Sequence, residues 1–254
     1  MPKLASFNVN SLNVRLEDVL LWLDTSQADC LAVQETKVTD DRFPLAPFEE
    51  RGYHVVYTGE KTYNGVALIS RIPLKDPVFG VPGFDDPQRR VIGATVDGIR
   101  MLNLYVPNGA AVGTDKYEYK LNWLKKVTTF IREELQRYPD LVVVGDFNIA
   151  PEDKDVHDPA LWAGSVLVSP PEREAFQGLL SLGLHDSFRA IHPEAVRYSW
   201  WDYRMAAFRR NRGMRIDHIL LSDALIGRCI DSGIDEEPRR SERPSDHTPV
   251  WVLL

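Results

Sequence analysis

One stretch, DLVVVGDFN at residues 140–148, constrains the fold more than any other. Val142, Val143 and Val144 follow Leu141 with no polar interruption, and β-branched residues favour extended backbone. A nearly all-apolar strand of this kind fits an α/β fold, which packs its elements in layers. The run then breaks abruptly into Gly145, Asp146, Phe147 and Asn148. Polar side chains at such a strand end project onto the rim of a sheet, where open α/β folds hold their ligands.

The flanking segments supply those layers. LASFNV (4–9) and DCLAVQE (29–35) read as strands, and VRLEDVLLWLDTS (14–26) between them carries apolar residues at helical spacing. HVVYTGE, GVALIS, RRVIGATV and IRMLNLYVP are short β-rich runs separated by Gly, Pro and Asp turn signals. DKYEYKLNWLKKVTTFIREELQRY (115–138) is the longest helical pattern, with Leu121, Leu124, Val127, Ile131 and Leu135 marking its apolar face. PPEREAFQGLLSLGL (170–184) opens with prolines suited to a first helical turn. RIDHILLS (215–222), RCIDSGID (228–235) and HTPVWVLL (247–254) read as late strands. Both halves share one texture: strand, helix, strand, meander. The expectation is one α/β domain over residues 1–254, with two packed sheets and helices outside. Segment 149–170, the least regular, is expected to be a surface loop.

A chain of 254 residues, 44% of them hydrophobic, is long enough to bury such a core. Its net charge of −7 argues against a general polyanion-binding coat and leaves room for a local one. The candidate is RYSWWDYRMAAFRRNRGMRID (197–217), where six arginines stand among aromatic residues against only Asp202 and Asp217. Cys30 and Cys229 lie in apolar runs and read as buried free thiols, with a lone disulfide as the alternative; neither spacing is a zinc or redox motif. MPKLASFNVN lacks a basic region followed by an apolar one, and no run reaches the length of a membrane span. A soluble intracellular monomer without membrane contact is expected.

Five strand-like runs end or begin in residues able to ligate or polarise. They are SFNVN (Asn8, Asn10), AVQETK (Glu35), VVVGDFNIAP (Asp146, Asn148), MRIDHILL (Asp217) and RPSDHTPVW (Asp246, His247). Taken singly, Asn8 reads equally well as a turn residue and Glu35 as a solvated acid. Asp146 and Asn148 lie two apart, so in an extended segment both point to one side and can orient one water and one anionic oxygen. A plain turn is the alternative. Asp246 and His247 are adjacent and diverge, so His247 needs a partner from elsewhere, and Asp217 is the best candidate. This oxygen-rich, cysteine-free set suits Mg²⁺ or Mn²⁺ better than zinc. Carboxylates, Asn and His around such a cation are the parts of hydrolytic phosphoryl chemistry.

SFNVNSL, QETK, YNGVALISR, NLYVPNG, GDFNIAP, RIDHILLS and PSDHTPVW occur in this order along almost the whole chain, with RYSWWDYR and RNRGMRID toward its end. In these motifs the chain resembles the exodeoxyribonuclease III family, within the endonuclease/exonuclease/phosphatase superfamily. The resemblance implies a DNase I-like four-layer α/β sandwich of two mixed β-sheets flanked by helices. It implies a Mg²⁺-dependent DNA repair nuclease, with Mn²⁺ as a substitute, acting on double-stranded DNA with abasic sites or 3′ ends. The activities implied are 3′→5′ exonuclease, incision 5′ of abasic sites, and removal of 3′-phosphate or other blocking groups. The implied location is cytoplasmic, at the nucleoid during repair.

Carried over by motif, Glu35 and Asn8 form the main metal region with Asp246 close by, and Asp146 and Asn148 become ligands if two metals are used. Asp146 is the implied base or water-positioning carboxylate, and Asn148 supports the water and the transition state. His247, held by Asp217, contacts the scissile phosphate, and Tyr105 sits near the phosphate or leaving oxygen. Asn108, Asn10 and Arg204 are implied DNA contacts. Trp200, Met214 and Ile216 are implied to wall a pocket for an extruded or terminal sugar, while Trp201 faces the other way and is a core candidate.

Two rival readings stand beside this one. A phosphoesterase of the same superfamily acting on inositol phosphates or lipids would share GDFN and SDH, whereas WWDYR and YVPNG favour DNA. A catalytically inactive nucleic-acid-binding relative would lose part of the acidic and histidine set, all of which is present here. His54, His157, His185, His192 and His218 read as surface or packing residues.

Overall fold

The computed structural model describes all 254 residues. The first half runs β1 (Lys3–Asn8), α1 (Leu12–Ser26), β2 (Cys30–Gln34), α2 (Ala46–Glu49), β3 (His54–Thr58), β4 (Val66–Ser70), β5 (Leu74–Phe79), β6 (Val91–Val96) and β7 (Ile99–Tyr105). The second half runs α3 (Asp115–Arg137), β8 (Leu141–Asp146), α4 (Pro159–Trp162), α5 (Pro170–Leu180), β9 (Leu184–Asp186), α6 (Ser187–Ile191), β10 (Asp217–Ser222), α7 (Asp223–Ile226), β11 (Asp231–Ile234) and β12 (Val250–Leu253). No helix is long and apolar enough to cross a membrane.

The strands form two six-stranded mixed sheets, ordered β11-β12-β1-β2-β4-β3 and β5-β6-β7-β8-β10-β9. Each contains one parallel pair, β1–β2 in the first and β7–β8 in the second. A parallel pair needs a crossover, and α1 and α3 supply them. Successive strand residues face opposite ways, which sorts the apolar side chains into three cores. Leu4, Ala32 and Leu68 meet Ile92, Met101, Val142 and Val144 between the sheets. Ala5, Phe7, Leu31 and Val33 lie against Val19, Leu20 and Leu23 of α1. Leu104, Leu141 and Val143 lie against Trp123, Val127 and Ile131 of α3 and Phe176 of α5. Strand β8 is thus covered on both faces, and the layers are helix, sheet, sheet, helix.

Polar contacts fix how the layers meet. Gln34 Nε2 donates to Asn103 Oδ1 across the sheet interface at 2.7 Å. Asn103 Nδ2 returns hydrogen bonds to the Val33 and Ala67 carbonyls, each at 2.9 Å. Two glycines permit close approaches beside the rim. At Gly145 (φ +144°) an added Cβ would sit 1.9 Å from the Leu104 carbonyl oxygen, so β8 lies against β7 only with glycine there. At Gly65 (φ +92°) a Cβ would sit 2.0 Å from Thr36 Oγ1. The turn there accepts from the backbone N–H groups of Thr36 (3.2 Å) and Lys37 (2.9 Å), which pins the residues after Glu35.

Three expectations need correction. On α3, Leu124, Val127 and Ile131 are buried, but Leu121 and Leu135 are only half-buried, while Lys120 and Glu134 occupy buried positions. Both charges are buried because each has a partner, Glu172 for Lys120 and Arg100 for Glu134. Segment 149–170 is only in part a surface loop: residues 158–161 are exposed, but Ala150, Val156, Leu167 and Val168 join Met214 and Ile216 in a buried cluster. Its Asp155 is buried and receives Arg215 and Arg189, which lets irregular backbone pass through the interior. Strand β5 was not anticipated at all. Both cysteines are free thiols, Cys30 buried and Cys229 half-buried.

Candidate active site

Because β12 runs antiparallel to β1 and β10 antiparallel to β8, one end of each sheet gathers the C-terminal ends of β1, β2, β7 and β8 with the N-terminal approaches to β10 and β12. All the rim residues expected from sequence lie at these ends. The two rims meet through Asn8, whose Nδ2 donates to Glu35 Oε1 and to Asp146 Oδ2, both at 2.9 Å. Glu35 adopts φ +54°, an uncommon conformation for a non-glycine residue and a mark of local strain at a built site.

Asp146 is buried at the centre. Its Oδ1 accepts from the Asn148 backbone N–H at 2.9 Å, and its Oδ2 accepts from Asn148 Nδ2 at 3.3 Å. His247 Nε2 lies 3.6 Å from Asp146 Oδ2. On the other side of the ring, His247 Nδ1 donates to Asp217 Oδ2 at 2.8 Å, so Asp217 holds the imidazole as expected. Asp217 is itself fixed by Ser199 Oγ, which donates at 2.7 Å. Ligand-type atoms of Glu35, Asp146 and His247 lie within 4.8 Å of one another.

Burial pushes the Asp146 carboxyl up to about 7, and the negative charges of Asp217 and Glu35 add to the rise, while His247 and Asn8 oppose it. Burial also disfavours the His247 cation, but the carboxylates of Asp217 and Asp146 outweigh it and pull the ring up to about 10. A protonated ring does not ligate a cation, so the oxygens of Glu35 and Asp146 are the metal-type donors in this cluster. Burial, then the charges of Glu35 and Asp146, hold the Tyr105 phenol well above its usual range, and Arg90 lies 4.5 Å over its ring.

Asn8 and Asp246 are each engaged by neighbouring groups. The Asn8 oxygen accepts from the Asn10 backbone N–H at 3.0 Å, so its amide separates the two carboxylates and turns no oxygen toward them. Asp246 stands outside the converging cluster: its oxygens accept from Asn10 Nδ2 and Trp200 Nε1, each at 3.0 Å. Asn148 Oδ1 accepts from Asn108 Nδ2 at 3.2 Å, so these two asparagines meet beside Asp146, with Asn108 exposed at the edge.

Among the expected DNA contacts, Trp200 is half-buried at the rim, and Trp201 is fully buried as anticipated. Met214 and Ile216 do not open on the surface; they pack behind Trp200 in the cluster that segment 149–170 builds, and so back the wall instead of forming it. Arg204 is exposed, with its guanidinium forked onto Asp202 at 2.8 and 3.0 Å. Sequence reasoning missed Ser199, Lys120 and the Gln34–Asn103 link. Gln34 and Asn103 did leave a signal, as single polar residues inside otherwise apolar strands.

A four-layer sandwich with carboxylates and a carboxylate-held imidazole on a joint rim defines a hydrolytic phosphoesterase of the metal-dependent kind. The chain belongs to the endonuclease/exonuclease/phosphatase family, whose model matches residues 5–247. It is 36% identical to exodeoxyribonuclease III of Haemophilus influenzae, over 98% of each chain. Among solved structures it resembles the 3′ phosphatase NExo from Neisseria bound to a product DNA hairpin (48% identity, TM-score 0.99, covering 100% of this chain and 99% of that one). It also resembles an AP endonuclease from Archaeoglobus fulgidus (39% identity, TM-score 0.96, covering 100% and 99%).

Proposed function

We propose that this chain is a DNA repair nuclease of the exodeoxyribonuclease III type, acting as one domain over residues 1–254. It hydrolyses phosphodiesters of double-stranded DNA at 3′ ends and abasic sites, and clears 3′-phosphate and other blocking groups. The observation that carries this reading is Asp146, buried between Asn8, Asn148 and a carboxylate-anchored His247 at the junction of two sheets. The exposed Arg209, Arg210 and Arg212, in the same segment as Trp200, supply local positive charge for a phosphate backbone.

Glu35, with Asp146 in reach, would hold a divalent cation, and an all-oxygen donor pair fits Mg²⁺, with Mn²⁺ as a substitute. When bound, such a cation neutralises charge on the phosphate. Asp146 accepts the proton of the attacking water, a task suited to a carboxyl raised toward neutral pH. Asn148 orients that water. The water oxygen forms the new bond to phosphorus as the bond to the 3′-oxygen breaks. His247, kept charged by Asp217, faces the non-bridging oxygens, and the neutral Tyr105 phenol donates toward the departing 3′-oxygen. The enzyme works as a cytoplasmic monomer.

The test is a magnesium-dependent assay on duplexes carrying an abasic site or a 3′-phosphate, with an inositol phosphate as control. Cleavage of the duplexes only with the metal is expected. Turnover of the inositol phosphate with inert DNA would move the chain to the rival phosphoesterase reading.

A further inference from the structure

We propose, resting on the nuclease function above, that Arg239 is a positioning residue for the loop that carries Asp246 and His247. The aromatic residues of segment 197–217 build its socket. The Arg239 guanidinium lies 4.9 Å from the Phe208 ring centroid, 5.7 Å from Tyr203 and 5.9 Å from Trp201. It is buried, no carboxylate pairs with it, and its Nε has no protein acceptor. The Asp246 carboxylate acts on it only from beyond salt-bridge distance, and the electron-rich faces of three rings offset part of the cost of burying the cation. A buried guanidinium of this kind is not a surface contact for DNA phosphate.

What it holds is specific. Arg239 Nη1 donates to the Ser245 carbonyl at 2.6 Å. Ser245 in turn donates through Oγ to the Asn8 carbonyl at 2.7 Å and accepts from the His247 backbone N–H at 3.2 Å. The neighbouring carbonyls are held in series. Arg15 donates to those of Arg243 (3.1 Å) and Pro244 (3.2 Å), and Tyr203 also donates to Pro244 (2.9 Å). The Trp201 backbone N–H donates to that of Asp246 at 2.9 Å. Four consecutive carbonyls, from 243 to 246, are therefore fixed without secondary structure. Arg239 supplies the one buried charged donor among them, and charge-assisted bonds are the stronger kind. Loss of that bond frees the backbone immediately before both rim residues.

The test compares Arg239→Met, which keeps the stem and removes the donor, with Arg239→Lys, which keeps a charge without the planar fork. Wild type is measured first on the 3′-phosphate duplex. Arg239→Met is expected to lower kcat by about tenfold to a hundredfold, as small misplacements of reacting groups do. KM for the duplex should stay within about threefold, and Arg239→Lys should recover part of kcat. In metal-free protein, the NMR resonance of the His247 Nδ1 proton against Asp217 should shift or broaden in Arg239→Met and return toward wild type in Arg239→Lys. Phe208→Leu opens the socket without touching the loop; it should give a smaller change of the same kind, and it serves if Arg239→Met does not fold. An unmoved resonance with unchanged kcat overturns the proposal, as does a raised KM with kcat intact, which would make Arg239 a DNA contact. An inactive wild type would overturn the nuclease reading alone, leaving the resonance to judge the positioning role.

Discussion

Asp146 divides its two oxygens among donors from two segments of chain, Asn8 and the backbone and amide of Asn148, with the His247 ring 3.6 Å from Oδ2. Replacing it by asparagine keeps the shape and removes the proposed base. Asp146→Asn is expected to lower kcat by about a hundredfold to ten-thousandfold, with the Kd for duplex DNA changed little. Single-turnover cleavage and a binding titration would check both numbers, and near-normal turnover would remove Asp146 from the role. Much of this site was legible residue by residue. The need of His247 for a remote partner follows from backbone geometry, whereas Asp146 and Asn148 meet although Asn148 has left the extended conformation (φ +49°) and lies beyond the strand. The orientation of the Asn8 amide was not legible, because it is set by Asp146, 138 positions away. The same holds for Asp246, whose oxygens are taken by Asn10 and Trp200.

At the scale of elements, α3 and α5 support the rim from beneath through one buried ion pair. Lys120 Nζ donates to the carbonyls of Asn108 (3.1 Å) and Asn148 (2.6 Å) and to the Glu172 carboxylate, with both side chains fully buried. Lys120→Met would leave Glu172 charged and unpaired in the interior. It is expected to cost about 3–5 kcal/mol of stability, read as a lowered urea midpoint at unchanged slope; a midpoint within error of wild type would show that the pair contributes nothing net. Helical periodicity treats such a lysine as a solvent-facing position, which is why the sequence placed Leu121 and Leu135 on the face instead. Strand β5 was missed for a related reason. LKDPVF mixes charges with Pro77, and the strand is an edge strand with a register shift between Lys75 and Val78, where apolar alternation is not required. The apolar central strands, by contrast, announced themselves.

For the molecule as a whole, acid sensitivity is set partly by His218, which reads from sequence as a packing residue and is one. Its Nε2 donates to the Ile149 carbonyl at 2.9 Å and its Nδ1 accepts from Arg215 at 3.1 Å, so the ring is neutral. Burial, then the Arg215 charge, lowers its pKa from 6.5 to about 4. The unfolded chain takes up this proton near pH 6.5 and the fold resists until about 4, so the contribution is full above 6.5 and is lost as pH falls to 4. The loss is on the order of 3 kcal/mol. His247, raised from 6.5 to about 10, stays protonated in the fold but titrates in the unfolded chain near 6.5, so it acts with opposite sign at the top of this window. Asp146, with its carboxyl raised to about 7, acts with opposite sign, so the comparison with a variant carries the test. Urea midpoints between pH 4 and pH 7 should fall less steeply in His218→Gln than in wild type, and equal slopes would place the acid loss elsewhere. The joint rim has one more consequence, in the time domain of synthesis. Asn8 leaves the ribosome early, Asp146 midway, and the Asp246–His247 loop only with the strand that closes onto β1. A nascent chain folding from its N-terminus, or a product stopped short of position 247, carries an incomplete set of groups. Under the proposed mechanism, a chain stopped short of position 247 is therefore expected not to cleave DNA.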